Sequence, residues 1–136
     1  MSFDTCPKQK DAALQATKYL PAAAATNYSD SFDISATGWV PDAVLEIAFP
    51  ASANHTDSTK SVLIVLQHSS DNSSFTNVSP LIELIVPGVT STGSDAVTKR
   101  IRLPDGVSRY VRFAQTGPSG DGDLTGDLVT YSVCVW

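Results

Sequence analysis

Histidine, cysteine, methionine and tryptophan are all scarce in this 136-residue chain, at two, two, one and two residues. The chemistries that depend on them are correspondingly thin. His55 lies in a polar loop and His68 at a strand end. Neither belongs to a recognisable catalytic motif, and no GxSxG elbow, HExxH pair or Walker loop is present. No enzyme, catalytic residue or bound cofactor is expected. Cys6 and Cys134 stand far apart with no CxxC and no Cys/His spacing suited to zinc, so free thiols and no metal are the expectation. Basic residues are also outnumbered, nine against fourteen acids for a net charge of −5, which disfavours nucleic acid as a partner of the whole surface. No apolar run approaches the roughly 18 residues of a membrane-spanning helix, and Met1 to Ala12 lacks the apolar stretch of a secretory signal. A soluble protein made in a cytoplasm, with no membrane partner, is expected. The four Asn-x-Ser/Thr triplets, at Asn27, Asn54, Asn72 and Asn77, follow from an Asn/Ser/Thr-rich surface and carry no weight as glycan sites.

What is abundant is turn-forming residues and short apolar stretches. The length suits one domain, and the content of Ser, Thr, Gly, Pro, Asn and Asp favours many short strands over long helices. The clearest stretch is Ser61 to Phe75. Five consecutive aliphatic residues, Val62 to Leu66, imply a strand covered on both faces. Ser69 to Ser74 then forms a polar turn, and Phe75 returns to apolar packing. Alternation marks further strands at Phe32 to Ala36, Leu45 to Phe49, Leu81 to Val86 and Val97 to Leu103. Along Ser108 to Thr116, Arg109, Val111, Phe113 and Gln115 share one side, opposite Tyr110, Arg112 and Ala114. Leu128 to Trp136 closes the chain as a strand held in the sheet to its end. About eight strands at this spacing predict an all-β antiparallel sandwich over residues 32–136. Residues 1–31 read as an N-terminal arm, with a short helix over Asp11 to Leu20.

Three local features have both a structural and a functional reading. Five of the nine basic residues (Lys99, Arg100, Arg102, Arg109 and Arg112) fall within fourteen positions that hold one acid, Asp105. A solvated strand face is the plain reading, and a patch that steers an acidic partner the functional one. The loop from Gly120 to Asp127 begins like a calcium loop, but Ser132 stands where the twelfth-position acid belongs, so a Gly/Asp turn is expected. Trp39 is expected to pack on the sandwich. The tyrosines Tyr19, Tyr28, Tyr110 and Tyr131 are not spaced to guarantee a sugar-binding platform.

Two passages together resemble the small jelly-roll capsid cement, or decoration, proteins of tailed bacteriophages. One is Val65-Leu66-Gln67-His68-Ser69-Ser70-Asp71-Asn72-Ser73-Ser74-Phe75; the other is Arg102-Leu103-Pro104 followed by Arg109-Tyr110-Val111-Arg112. The resemblance extends loosely over residues 11–136 and implies a jelly-roll sandwich without catalytic residues. It also implies a homotrimer on the outer surface of the virion capsid, bridging and stabilising subunits of the phage major capsid protein. The arm and the basic stripe then supply the candidate capsid or subunit contacts: Lys8, Lys10, Lys18, Tyr19 and Leu20 from the first, Arg100, Arg102 and Arg112 from the second. On this reading, removal of residues 1–20 weakens attachment and leaves the sandwich folded. The alternative is a receptor- or glycan-binding β-sandwich module on a phage tail or head surface.

Overall fold

The computed structural model describes residues 10–34, 43–79, 81–102 and 107–135, with backbone alone for residues 10–14, 43, 134 and 135. The described residues contain ten strands and no α-helix: β1 (Lys10–Tyr19), β2 (Thr26–Tyr28), β3 (Phe32–Asp33), β4 (Ala43–Phe49), β5 (Ser61–Ser69), β6 (Thr76–Asn77), β7 (Glu83–Pro87), β8 (Val97–Arg102), β9 (Tyr110–Thr116) and β10 (Leu128–Val135). The first sheet has the order β1-β10-β4-β8. The second has the order β2-β9-β5-β6, with β3 also beside β9 and β7 beside β5. Every pairing is antiparallel. This is the all-β sandwich expected, and its two antiparallel layers are consistent with a jelly roll. The strands exceed the expected eight because β1 takes the place of the expected helix, and because β2 and β6 have only three and two residues, too few to show a period.

Between the layers lies one core to which both sheets contribute. Leu45, Ile47, Phe49, Val129, Tyr131 and Val133 enter it from the first, and Val62, Ile64, Leu66, Val86, Val111 and Phe113 from the second. Phe113 and Tyr131 stack across the interface with centroids 4.2 Å apart. One polar group is buried among them and is fully used. Gln115, wholly inaccessible, receives the Tyr131 hydroxyl on Oε1 and donates through Nε2 to the Tyr19 carbonyl (3.1 Å) and Asn27 Oδ1 (2.9 Å). A buried amide is tolerated when its hydrogen bonds are satisfied, and here they tie both layers to the N-terminal segment. Burial pushes the Tyr131 hydroxyl pKa well above its ordinary value, so it stays a donor.

The short helix expected over Asp11 to Leu20 is a correction: those residues are β1 and the start of the following turn. One or two helical turns are marginal alone, whereas the edge of β10 offers backbone pairing from Gln15↔Ser132 through Tyr19↔Leu128. Tertiary pairing overrides local preference. Both β1 and β2 precede residue 32, the expected start of the sandwich, yet each pairs with a strand beyond it. Trp39 lies outside the described residues.

Candidate functional site

The two passages that carry the resemblance are neighbours in space. β5 and β9 pair from Leu63↔Thr116 to Ser69↔Tyr110, with Gln67 directly opposite Arg112. Directly opposed residues project from the same face. Since Leu66, Phe113 and Val111 point into the core, Gln67, Arg112 and Tyr110 lie on the outward face. Arg112 Nε donates to Gln67 Oε1 (2.9 Å), and Gln67 Nε2 donates in turn to Asn77 Oδ1 on β6 (3.1 Å). The guanidinium carbon sits 3.9 Å from the Tyr28 ring centroid and 4.1 Å from that of Phe75. Tyr28 comes from β2 on one side of β9, and Phe75 from the turn leading to β6 on the other. The arginine is therefore flanked by two rings and fixed through Nε, while its terminal nitrogens have no protein partner among the described residues. Val65 and Ala114, the next row, are buried, and beyond them only half-buried Leu63 and exposed Ile85 bring apolar surface to this side of the sheet.

The polar turn beside this site is braced internally. Asp71 Oδ1 accepts from the Ser69 hydroxyl (2.7 Å) and from the amides of Ser73 (2.9 Å) and Ser74 (3.0 Å), while Asn72 takes the left-handed φ of 59°. Those bonds, led by that from Ser74, lower the Asp71 carboxyl from 3.8 to about 2. At the same end of the β5/β9 pair, Arg109 forms a two-pronged pair with Asp33 (2.8 and 2.7 Å) and lies over Tyr110.

The basic stripe does not survive folding as one patch. β8 belongs to the first sheet and β9 to the second, so Arg100 and Arg102 project from one outer face while Arg112 projects from the other. Arg100 Nε donates to Glu46 Oε2 (3.0 Å), whose residue is buried. Lys99 turns its ammonium onto the Glu83 carbonyl of β7 (2.7 Å), joining the exposed edges of the two sheets.

His55 is fully buried rather than a loop-surface residue. Its Nε2 donates to the Val86 carbonyl (2.7 Å), and its Nδ1 pairs with Asp121 Oδ2. Burial pushes the Asp121 carboxyl pKa up, but the bonds from His55, Gly122 and Thr56 outweigh it and hold the net value below the ordinary range. The pair fastens the loop after β4 to the Gly/Asp loop. The other acids there are also turned to protein partners: Asp123 caps the amide (3.0 Å) and hydroxyl (2.6 Å) of Thr125, and Asp127 accepts from the Ser52 hydroxyl (2.6 Å). Asp123 thus braces its own turn, while Asp127, like Asp121, reaches across to the loop after β4. His68 also has a local role, accepting the Ser108 amide on Nδ1 (3.0 Å).

Of the expected contact residues, Arg112 falls within the organised face just described. Lys18 and Tyr19 are exposed on edge strand β1, and Arg102 is exposed on edge strand β8. Leu20 must be withdrawn: only 2% exposed, it belongs to the core because the chain turns inward where β1 ends. Arg100 is committed to Glu46. Lys10 is described by backbone alone, and Lys8 lies outside the described residues. Gln67, Asn77 and Phe75 were not among the expected contacts, nor was Tyr28. Their common position depends on pairing strands more than forty residues apart, and the available signal was the outward phase shared by Gln67 and Arg112.

No protein-family model matches the chain, and no curated protein matches it. Among solved structures the chain is similar to one titled Family 16 Carbohydrate Binding Module-2, at 10% identity and a TM-score of 0.35, over 82% of this chain and 68% of that one. A similarity of that size identifies no relative for this chain.

Proposed function

We propose that this chain is a capsid decoration protein, which binds the outer surface of a tailed-phage head and bridges and stabilises major capsid protein subunits, as the resemblance implies. The observation that carries the reading is the joining of the two resembling passages into one outward face by β5 and β9 pairing. Gln67, Phe75 and Arg112 from those passages touch one another or share a partner there. A shell-binding protein needs a face ordered before it docks, because side chains that must be frozen on binding subtract from affinity. Arg112 already has its stem, Nε and both ring contacts fixed. Repetition of such a contact by capsid symmetry adds through avidity, and trimers would multiply it further.

The test is reconstitution on expanded heads stripped of the protein. Co-sedimentation should saturate at a stoichiometry fixed by the lattice, with density on the outer shell by cryo-electron microscopy and heads that resist higher temperature. Absence of saturable binding to heads would remove the proposal. The glycan-binding alternative draws on the same face, but Tyr28 and Phe75 each give a ring surface to Arg112 rather than to a sugar. Saturable binding to host polysaccharide, with none to heads, would favour it.

A further inference from the structure

We infer that Arg112 is the anchor of the docking face and that its occupant is a carboxylate of a shell subunit, set within an apolar surround; this rests on the decoration reading. The first ground is the state of the charge. Arg109 is neutralised by Asp33 and Arg100 faces Glu46, whereas Arg112 has, among the described residues, only a neutral amide and two ring faces. Its terminal nitrogens are the part of the fork left over, and a guanidinium fork fits a carboxylate with two parallel hydrogen bonds.

The second ground is order. Exposed Lys18 and Arg102 would lose side-chain freedom on pairing, an entropic cost that is largest for such long side chains. Arg112 has already lost much of that freedom within the fold. The third ground is the surround. Half-buried Arg112 lies between the rings of exposed Tyr28 and half-buried Phe75, and an arginine set among aromatic rings is the usual composition of an interface hot spot. A polyphosphate or lipid surface is disfavoured by the chain's net charge of −5. A second copy meeting this face symmetrically would bring like arginines toward the two-fold axis.

The inference is tested with stripped heads and three variants, Arg112→Lys, Arg112→Gln and Arg112→Glu, each first shown to unfold at a temperature close to wild type. Wild-type binding establishes the decoration reading independently. Given that, Arg112→Gln should bind about 30-fold more weakly, the loss carried by a hot-spot arginine. Arg112→Lys should recover only part of this because it keeps charge without the fork, and Arg112→Glu should bind least. The wild-type advantage over Arg112→Gln should shrink as salt rises. If all three variants bind heads like wild type, the anchor is wrong while the decoration reading stands. Full rescue by lysine would overturn the two-pronged contact. If wild type self-associates without heads and Arg112→Gln does not, the occupant is a second copy and the inference fails.

Discussion

On the outward face of the first sheet, Gln15, Ser132, Glu46 and Arg100 form one cross-strand row, and Thr17, Thr130, Ala48 and Thr98 the next. On the outward face of the second, Asn77, Gln67 and Arg112 form a row beside Glu83, Val65, Ala114 and Tyr28. Both faces centre on an arginine from the same basic stretch of sequence. In the first, a buried carboxylate answers the charge and the neighbouring row is short and mostly hydroxylated. In the second, the charge is held between rings, and the neighbouring row is centred on buried Val65 and Ala114. One arginine is paired within its own sheet, while the other is held in place with terminal donors that have no partner among the described residues.

The largest way to disturb this contrast is to delete residues 1–20. That removes β1 from the first sheet and Leu20 from the core, and takes away the Tyr19 carbonyl that Gln115 uses. We expect more than about 3 kcal/mol of lost stability, within the range of large core truncations, seen as a collapsed or absent transition in thermal circular dichroism. This replaces the expectation that the N-terminal segment can be removed without harm to the sandwich. A truncated chain with unchanged melting would restore that expectation.

Tyr131→Phe probes the layer between the faces. It strips Gln115 Oε1 of its only donor from Tyr131 at a position without solvent access. A loss of about 1–3 kcal/mol is expected for an unsatisfied buried polar atom, measured by urea denaturation. No change in the midpoint would mean that the amide finds another donor.

Arg100→Ala and Arg112→Ala sharpen the contrast directly. The first withdraws a cation from buried Glu46 and should cost about 1–3 kcal/mol of stability, with binding to heads retained by whatever protein remains folded. The second removes ring contacts at a partly open site and should cost about 1 kcal/mol, with head binding largely lost. Reversal of these two phenotypes would place the docking face on the first sheet.

The smallest effect concerns acid. Asp71 titrates at about 2 in the fold against 3.8 ordinarily, so its contribution is present above the ordinary value and is lost as pH falls through the folded one. Asp71→Asn should flatten the decline in melting temperature between those limits, slightly because the turn is exposed. An unchanged slope would show that the bonds from Ser69, Ser73 and Ser74 do not favour the charged form.

Much of the fold was legible because strand periodicity is a local property. The phase of Val111, Phe113 and Gln115 against Tyr110, Arg112 and Ala114 was readable and is the phase observed. The turn at Asp71 was readable too, since its bonds span no more than three residues. β1 was misread because the run Ala12-Ala13-Leu14-Gln15-Ala16 suits a helix until a sheet edge is offered to it. The candidate site was legible only in pieces. Gln67 and Phe75 appeared in one passage and Arg112 in another, with no sequence rule to say that they meet.

By itself, then, the sequence determined the all-β class, the buried β5, the inward and outward phases of β9, and the braced turn, because each depends on side-chain periodicity or on bonds between near neighbours. Only the tertiary structure decided that Arg100 and Arg112 part company to opposite faces, that His55 is buried against Asp121, and that Tyr28, Phe75 and Gln67 gather around one guanidinium. The physical reason is that strand pairing in a sandwich joins segments distant along the chain, and it is pairing that sets which side chains meet.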